Sequence, residues 1–456
     1  MRLQIGPLLE ICLNQPWHFP EHKLDKEKVY QALFPGQGWV EGKLEKVMVE
    51  AQKVVRAFLL NQNYFREENE FNQVFDFSKI LKLRGLESRF KLTIARLKCI
   101  QEESTERSEQ YYHQQYLLEE AIHCQECIEN QSKGDLHIPK TMNAAAIYYH
   151  VCRLALLNRY LLQLMVTKFE IPDLMNLHLE DEHIPTEYLE ASPLLQINCE
   201  VHRILKKKLP ETSDVQLVFD LLRLHEKILD EDSLGRLYGY LRNFAVLIVT
   251  ADRDKMDICD TLHELYVDNL KRGYLHYEGK IPPTRFSAVV DNALRVKQLD
   301  WTGEFIERYK DEIYGENETK DMYRFVKANY LFAVGRFSEC LDILPANSPF
   351  VSYLLLGKRM EIKAMYELQS DLLPYKLDAF KMYLSRTSTK ILSDAQRQVH
   401  VDFANYFTQI MTSIPGDVKR AELVHKRIKE NKQVAERSWL LAKALALKGR
   451  HAETKP

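Results

Sequence analysis

Residues 323–345 read YRFVKANYLFAVGRFSECLDILP, and the fold follows from this stretch. Ala328, Leu331 and Phe332 are three and four residues apart, which places them on one face of a helix. Gly335 breaks that helix. Phe337, Cys340, Leu341 and Leu344 line a second one, and Pro345 stops it. The stretch is one antiparallel helical hairpin, with its apolar stripes turned toward each other.

Outward from the hairpin the same periodicity recurs. Downstream it predicts helices over 351–368, 377–384, 395–411, 418–428 and 435–447, then a frayed polar tail, HAETKP. Upstream it predicts helices over 194–210, 215–229, 234–249, 258–275 and 286–296, separated by Asp, Gly or Pro. Near the start, LDKEKVYQALFPGQGW (24–39) gives a helix with Asp25 as N-cap, Val29, Leu33 and Phe34 as apolar face, and Pro35-Gly36 as its end. Leu44, Val47, Met48, Ala51, Val54, Val55, Phe58 and Leu59 follow as a broad apolar stripe on one side of about four helical turns. Further helices are expected over 71–83, 90–100, 106–129 and 142–166. The last is strongly apolar but carries His150, Arg153, Asn158 and Arg159, so it reads as a buried helix of the fold and not a membrane span. Residues 170–193 contain Pro172, Pro185, Pro193 and the run Glu180-Asp181-Glu182, and read as a short helix with loops.

No segment alternates with period two. The expectation is roughly twenty helices and no strand: an all-α chain, an α-solenoid of antiparallel helix pairs. The divisions expected are a helical region over 1–104 with a pair at 24–60, first repeats over 105–193, further repeats over 194–450 and the tail at 451–456.

Composition narrows the function classes. The 456 residues are 45% apolar and 28% charged, which fits a folded chain and excludes a largely disordered one. A net charge of −2 gives no basic footprint for nucleic acid over the whole chain. Eight dispersed cysteines and no signal peptide in the first residues point to a cytoplasmic protein with buried thiols. No apolar run approaches the ~20 residues of a membrane helix.

The helix–Gly–helix–Pro order, recurring about every 34–45 residues, resembles the tetratricopeptide (TPR) repeat. The repeats are degenerate, and even 323–345 lacks the consensus aromatic near the start of its first helix. DKEKVYQALFPGQGWVEGKLEKVM (25–48), DWTGEFIERYKDEI (300–313), the hairpin after it and AERSWLLAKA (435–444) together resemble a family of uncharacterised bacterial all-helical repeat proteins. That resemblance implies an intracellular bacterial protein with an all-helical fold, and further helix before the position of Met1. It transfers no activity, cofactor or catalytic residue.

Function is therefore expected to be non-enzymatic: a scaffold holding a protein or peptide on a concave face, without cofactor or metal. Register on the hairpin makes Arg324, Lys327 and Asn329 the candidates to face the partner. Two alternatives stand beside this reading. The pair of helices joined by Pro35-Gly36-Gln37-Gly38 has the outline of a helix-turn-helix, with Lys43, Lys46, Lys53 and Arg56 toward nucleic acid; Glu41, Glu45 and Glu50 oppose that. His123 with Cys124 and Cys127 has metal or thiol spacing, but no second pair completes a zinc set, and the motif lies inside a helix. His178 to His183 encloses three acids in a loop and reads as a solvated segment. His150, His202, His225 and His400 read as structural. Lys206-Lys207-Lys208 and residues 417–432 read as solvated basic faces. The tyrosines at 111, 112, 116, 148, 149, 160, 238, 240, 266, 274 and 277 suit either helix seams or a groove. No phosphate-loop, dinucleotide, nucleophile-elbow or HExxH motif occurs.

Overall fold

The computed structural model describes residues 4–13, 25–129, 137–166, 184–252, 255–315, 317–345, 351–414 and 416–449. Among these the chain forms twenty-one α-helices and no strand; the bridges Tyr277–Lys280 and Ile281–Ile313 are isolated. The chain divides into two compact units, Met1–Lys208 with Leu217–Leu234, and Leu209–Gln216 with Gly235–Pro456.

The first unit begins with α1 (Ile5–Leu13), α2 (Lys26–Leu33) and α3 (Lys43–Tyr64). Asp25 caps α2, its carboxylate accepting from Glu27 N–H at 2.9 Å and Lys28 N–H at 3.3 Å. Leu8, Val29, Tyr30, Leu33, Phe34, Leu44, Val47 and Ala51 make one small core. The expected stripe on α3 is buried only at this end. Met48, Val54, Phe58 and Leu59 are exposed, because the small core stops at Ala51 while the helix runs on to Tyr64.

Next come α4 (Glu70–Leu83), α5 (Glu87–Glu103), α6 (Glu109–Glu129), α7 (Ile138–Val166), α8 (Thr186–Ala191), α9 (Pro193–Leu205) and α10 (Thr212–His225), the last running across the division between units. Helices adjacent in sequence pack from α4 to α7, and α7 packs on α9. Full burial of α7 is not found: Met142, Tyr149 and Leu156 are exposed, while Val151, Leu154 and Leu157 face its neighbours. Asn158 is fully buried between α7 and α9. Its amide donates to Asn198 O at 2.9 Å and its carbonyl lies 3.0 Å from His202 Nδ1, so His202 serves this buried network.

The second unit holds α11 (Glu231–Ala251), α12 (Met256–Lys271), α13 (Pro283–Arg295), α14 (Leu299–Tyr309), α15 (Asn317–Ala333), α16 (Phe337–Ile343), α17 (Val351–Glu367), α18 (Leu373–Arg386), α19 (Asp394–Met411), α20 (Val418–Glu430) and α21 (Arg437–Gly449). Its helix α11 begins four residues before the division. From α12 onward each helix packs on the next. In addition α13 packs on α15, α15 on α17 and α19 on α21. The hairpin expected at 323–345 is α15 and α16, with Ala328, Leu331 and Cys340 buried against Met360 and Ala364 of α17.

One device ends α13, α15 and α17. Gly335 takes φ +81°, and Arg336 N–H turns back to Leu331 O at 2.9 Å. Lys297 (φ +60°) with Gln298 N–H on Ala293 O, and Gln369 (φ +53°) with Ser370 N–H on Met365 O, repeat it after α13 and α17. Only glycine enters this region freely, so only the middle one is visible in the sequence.

Close helix crossings add a second constraint. A Cβ on Gly357 of α17 would lie 2.9 Å from Phe325 Cε1 of α15. On Gly303 of α14 it would lie 2.7 Å from the Tyr330 hydroxyl. Overpacking of this kind costs ~1–3 kcal/mol. Gly357→Ala is expected to lower unfolding stability within that range in urea denaturation. Gly38→Ala, which meets nothing within 4 Å, is expected to leave it unchanged.

Candidate functional site

The second unit gathers polar and charged side chains on one face of α13, α15 and α17 and on the turn before α21. Asp291 of α13 accepts from Asn329 Nδ2 of α15 at 2.8 Å and from Ser287 Oγ at 3.4 Å. Its side chain carries exposed area, and yet its carboxyl is pushed up to about 6. Desolvation is the main cause and Glu436 adds to it, against Arg295, Ser287 and Asn329.

Beyond Asn329 the face continues to an ion triad. Glu436 accepts from Lys363 Nζ at 2.7 Å and Arg359 Nε at 3.1 Å. Burial pushes its carboxyl up, but the two cations outweigh burial and hold it at about 2. Arg359 NH1 lies 2.9 Å from His400 Nδ1 on α19, which makes that nitrogen the acceptor of a neutral imidazole. Burial first and Arg359 second bring the His400 pKa down to about 4. The Lys363 ammonium also sits 4.4 Å from the centroid of the Phe332 ring. One turn further, Glu367 of α17 accepts from Trp439 Nε1 at 2.9 Å and Lys443 Nζ at 2.7 Å.

Of the residues expected to face a partner, Asn329 joins Asp291 on this face. Lys327 is turned instead to Glu307 of α14, at 2.5 Å, and Arg324 is exposed. The three are not brought together: residues two apart on a helix differ by about 200° in direction. Sequence reasoning missed Asp291, Arg359, Lys363 and Glu436, whose partners lie 38 to 77 positions away in the chain.

In the first unit, Lys43 stands 4.1 Å from the Phe34 ring centroid and donates to Gln37, so it packs the α2–α3 turn. Lys53 pairs with Glu50 at 2.7 Å, while Lys46 and Arg56 are exposed. Cys124 is a half-buried free thiol on α6; the side chain of Cys127 and the segment from His178 to His183 lie outside the described residues. Among the described residues no three His, Cys, Asp or Glu side chains are placed to hold a metal ion. Tyr112, Tyr238, Tyr240 and Tyr266 are core residues, whereas Tyr149 and Tyr277 are exposed. No described helix is long and apolar enough to cross a membrane.

Comparison with protein-family models, with curated proteins and with solved structures finds no match for this chain.

The raised pKa of Asp291 fixes a sign. Its folded value lies above the ordinary 3.8, so ionisation is penalised in the folded state at neutral pH, and the penalty fades as pH falls from about 6 toward 3.8. Asp291→Asn is therefore expected to stabilise the protein at pH 8, by about 1 kcal/mol after discounting for its exposed area, and to give no gain at pH 4. Chemical denaturation at the two pH values measures both.

Proposed function

We propose that the chain is a non-enzymatic helical-repeat scaffold, an α-solenoid of degenerate TPR-like pairs that holds a peptide or protein segment along the polar face of its second unit. The observation that carries this reading is the repeated helix stop. Lys297, Gly335 and Gln369 lie 38 and 34 residues apart and each joins the two helices of a pair. Those spacings match the period of helical repeats. The packing of α13 on α15 and of α15 on α17 agrees, since stacked pairs bring like helices side by side.

Stacking of this kind turns the first helix of each pair to the inside of the array. Asp291, Asn329 and Arg359 belong to those helices. A segment lying across them would meet donors and acceptors fixed by packed helices, so little ordering is needed on binding. The reading assigns no catalytic residue. On the alternative face, Lys43 is committed to its own turn, while Lys46 and Arg56 are exposed.

A photoreactive amino acid tests the proposal when placed at Ser287 on the inner face and, separately, at Asp300 on α14. In cells of the source organism, the Ser287 position is expected to capture one defined protein and the Asp300 position none. Capture from Asp300 alone, or from neither, contradicts it.

A further inference from the structure

Two arginines at the start of the second unit, one buried and one half-buried, lie near each other without an ion-paired acid. Arg242 of α11 is 7% exposed. Its NH1 group donates to Asn269 Oδ1 and its NH2 group to Tyr274 O at 3.5 Å, both neutral acceptors. Arg285 of α13 is half-buried and donates from NH1 to Leu275 O at 2.7 Å, again neutral. Burial first and the nearby Arg285 guanidinium second bring the pKa of Arg242 down to about 10. Among the described residues neither makes an ion pair. Asp268, next to Asn269 in sequence, is committed to Arg272 at 3.0 Å.

Near both cations is Tyr266 of α12, 3% exposed. Both arginines act on its phenol, and burial, the larger effect, pushes its pKa up to about 12, so the hydroxyl stays protonated and able to donate. Asp291 also acts on Tyr266, but it spends its hydrogen bonds on Asn329 and Ser287.

Buried cations are ordinarily paired, because desolvation without a counter-charge is costly. A guanidinium has five N–H donors in a planar fork that matches an oxyanion, and Arg242 and Arg285 use only part of theirs. We propose that Arg242, Arg285 and Tyr266 form a binding site for an oxyanion, a phosphoryl or carboxylate group. The missing negative charge is supplied by the ligand. The site lies wholly on the first helices of the second unit and stands whether or not a peptide lies along the inner face.

The test is calorimetric titration of the full chain with inorganic phosphate and, separately, with acetate, at constant ionic strength. Wild type is expected to bind at least one of them. Tighter phosphate binding assigns a phosphoryl ligand; equal or tighter acetate binding assigns a carboxylate. Arg242→Met and Arg285→Gln are each expected to weaken binding roughly tenfold or more, as for loss of a charge-assisted hydrogen bond. A purely structural arginine would instead lower the melting temperature when replaced. Arg242→Met, measured without anion, is expected to melt at or above wild type, since it removes an uncompensated buried charge. Arg285→Gln is half-buried and keeps the test in force if Arg242→Met does not fold. No binding of either anion by wild type, or binding unchanged in Arg285→Gln, overturns the proposal.

Discussion

The second unit depends on one carboxylate. Glu436 sits in the turn between α20 and α21 with φ +54°, a conformation that side-chain-bearing residues seldom adopt. It is held there by Lys363 and Arg359 of α17, 73 and 77 residues earlier in the chain. A buried carboxylate without such partners would cost several kcal/mol. With them it pins the last helix pair to α17, and it fixes Arg359 beside a neutral His400. The strained turn and the ion triad explain each other: the backbone conformation aims the carboxylate, and the two cations hold the backbone there.

Around that clamp the unit is built from short-range contacts. Each helix has one apolar stripe and buries it on the helices next to it in sequence or two along. The close approaches at Gly303 and Gly357 let these stripes interlock. Such packing places the apolar side chains between helices and leaves polar ones, Asp291, Asn329 and Arg359, on a shared face. That division of labour supports the proposed binding role of the second unit.

Much of this was legible in the sequence, because helix periodicity and turn residues are local. The hairpin at 323–345 falls where Ala328, Gly335 and Cys340 place it, and Asp25 caps the helix it was expected to cap. What the sequence hid is the non-local part. An apolar stripe says that a surface is to be covered, not how far its cover extends: Phe58 and Leu59 continue the stripe of α3 beyond the small core and are exposed. Lys297 and Gln369 end helices as Gly335 does, but their side chains mask the left-handed turn. Arg242 and Arg285 look like any surface arginine until the fold sets them against Asn269, Tyr274 and Leu275, which are all neutral acceptors.

The clamp on Glu436 is tested most directly by a double-mutant cycle of Glu436→Gln, Lys363→Met and the pair, followed by chemical denaturation at pH 7. Each single change leaves a buried charge less compensated, so the double variant should lose less than the sum of the singles, with a coupling of ~1–3 kcal/mol. Additive losses, within about 0.3–0.5 kcal/mol, would mean that the carboxylate and the ammonium do not hold each other, and would contradict the account.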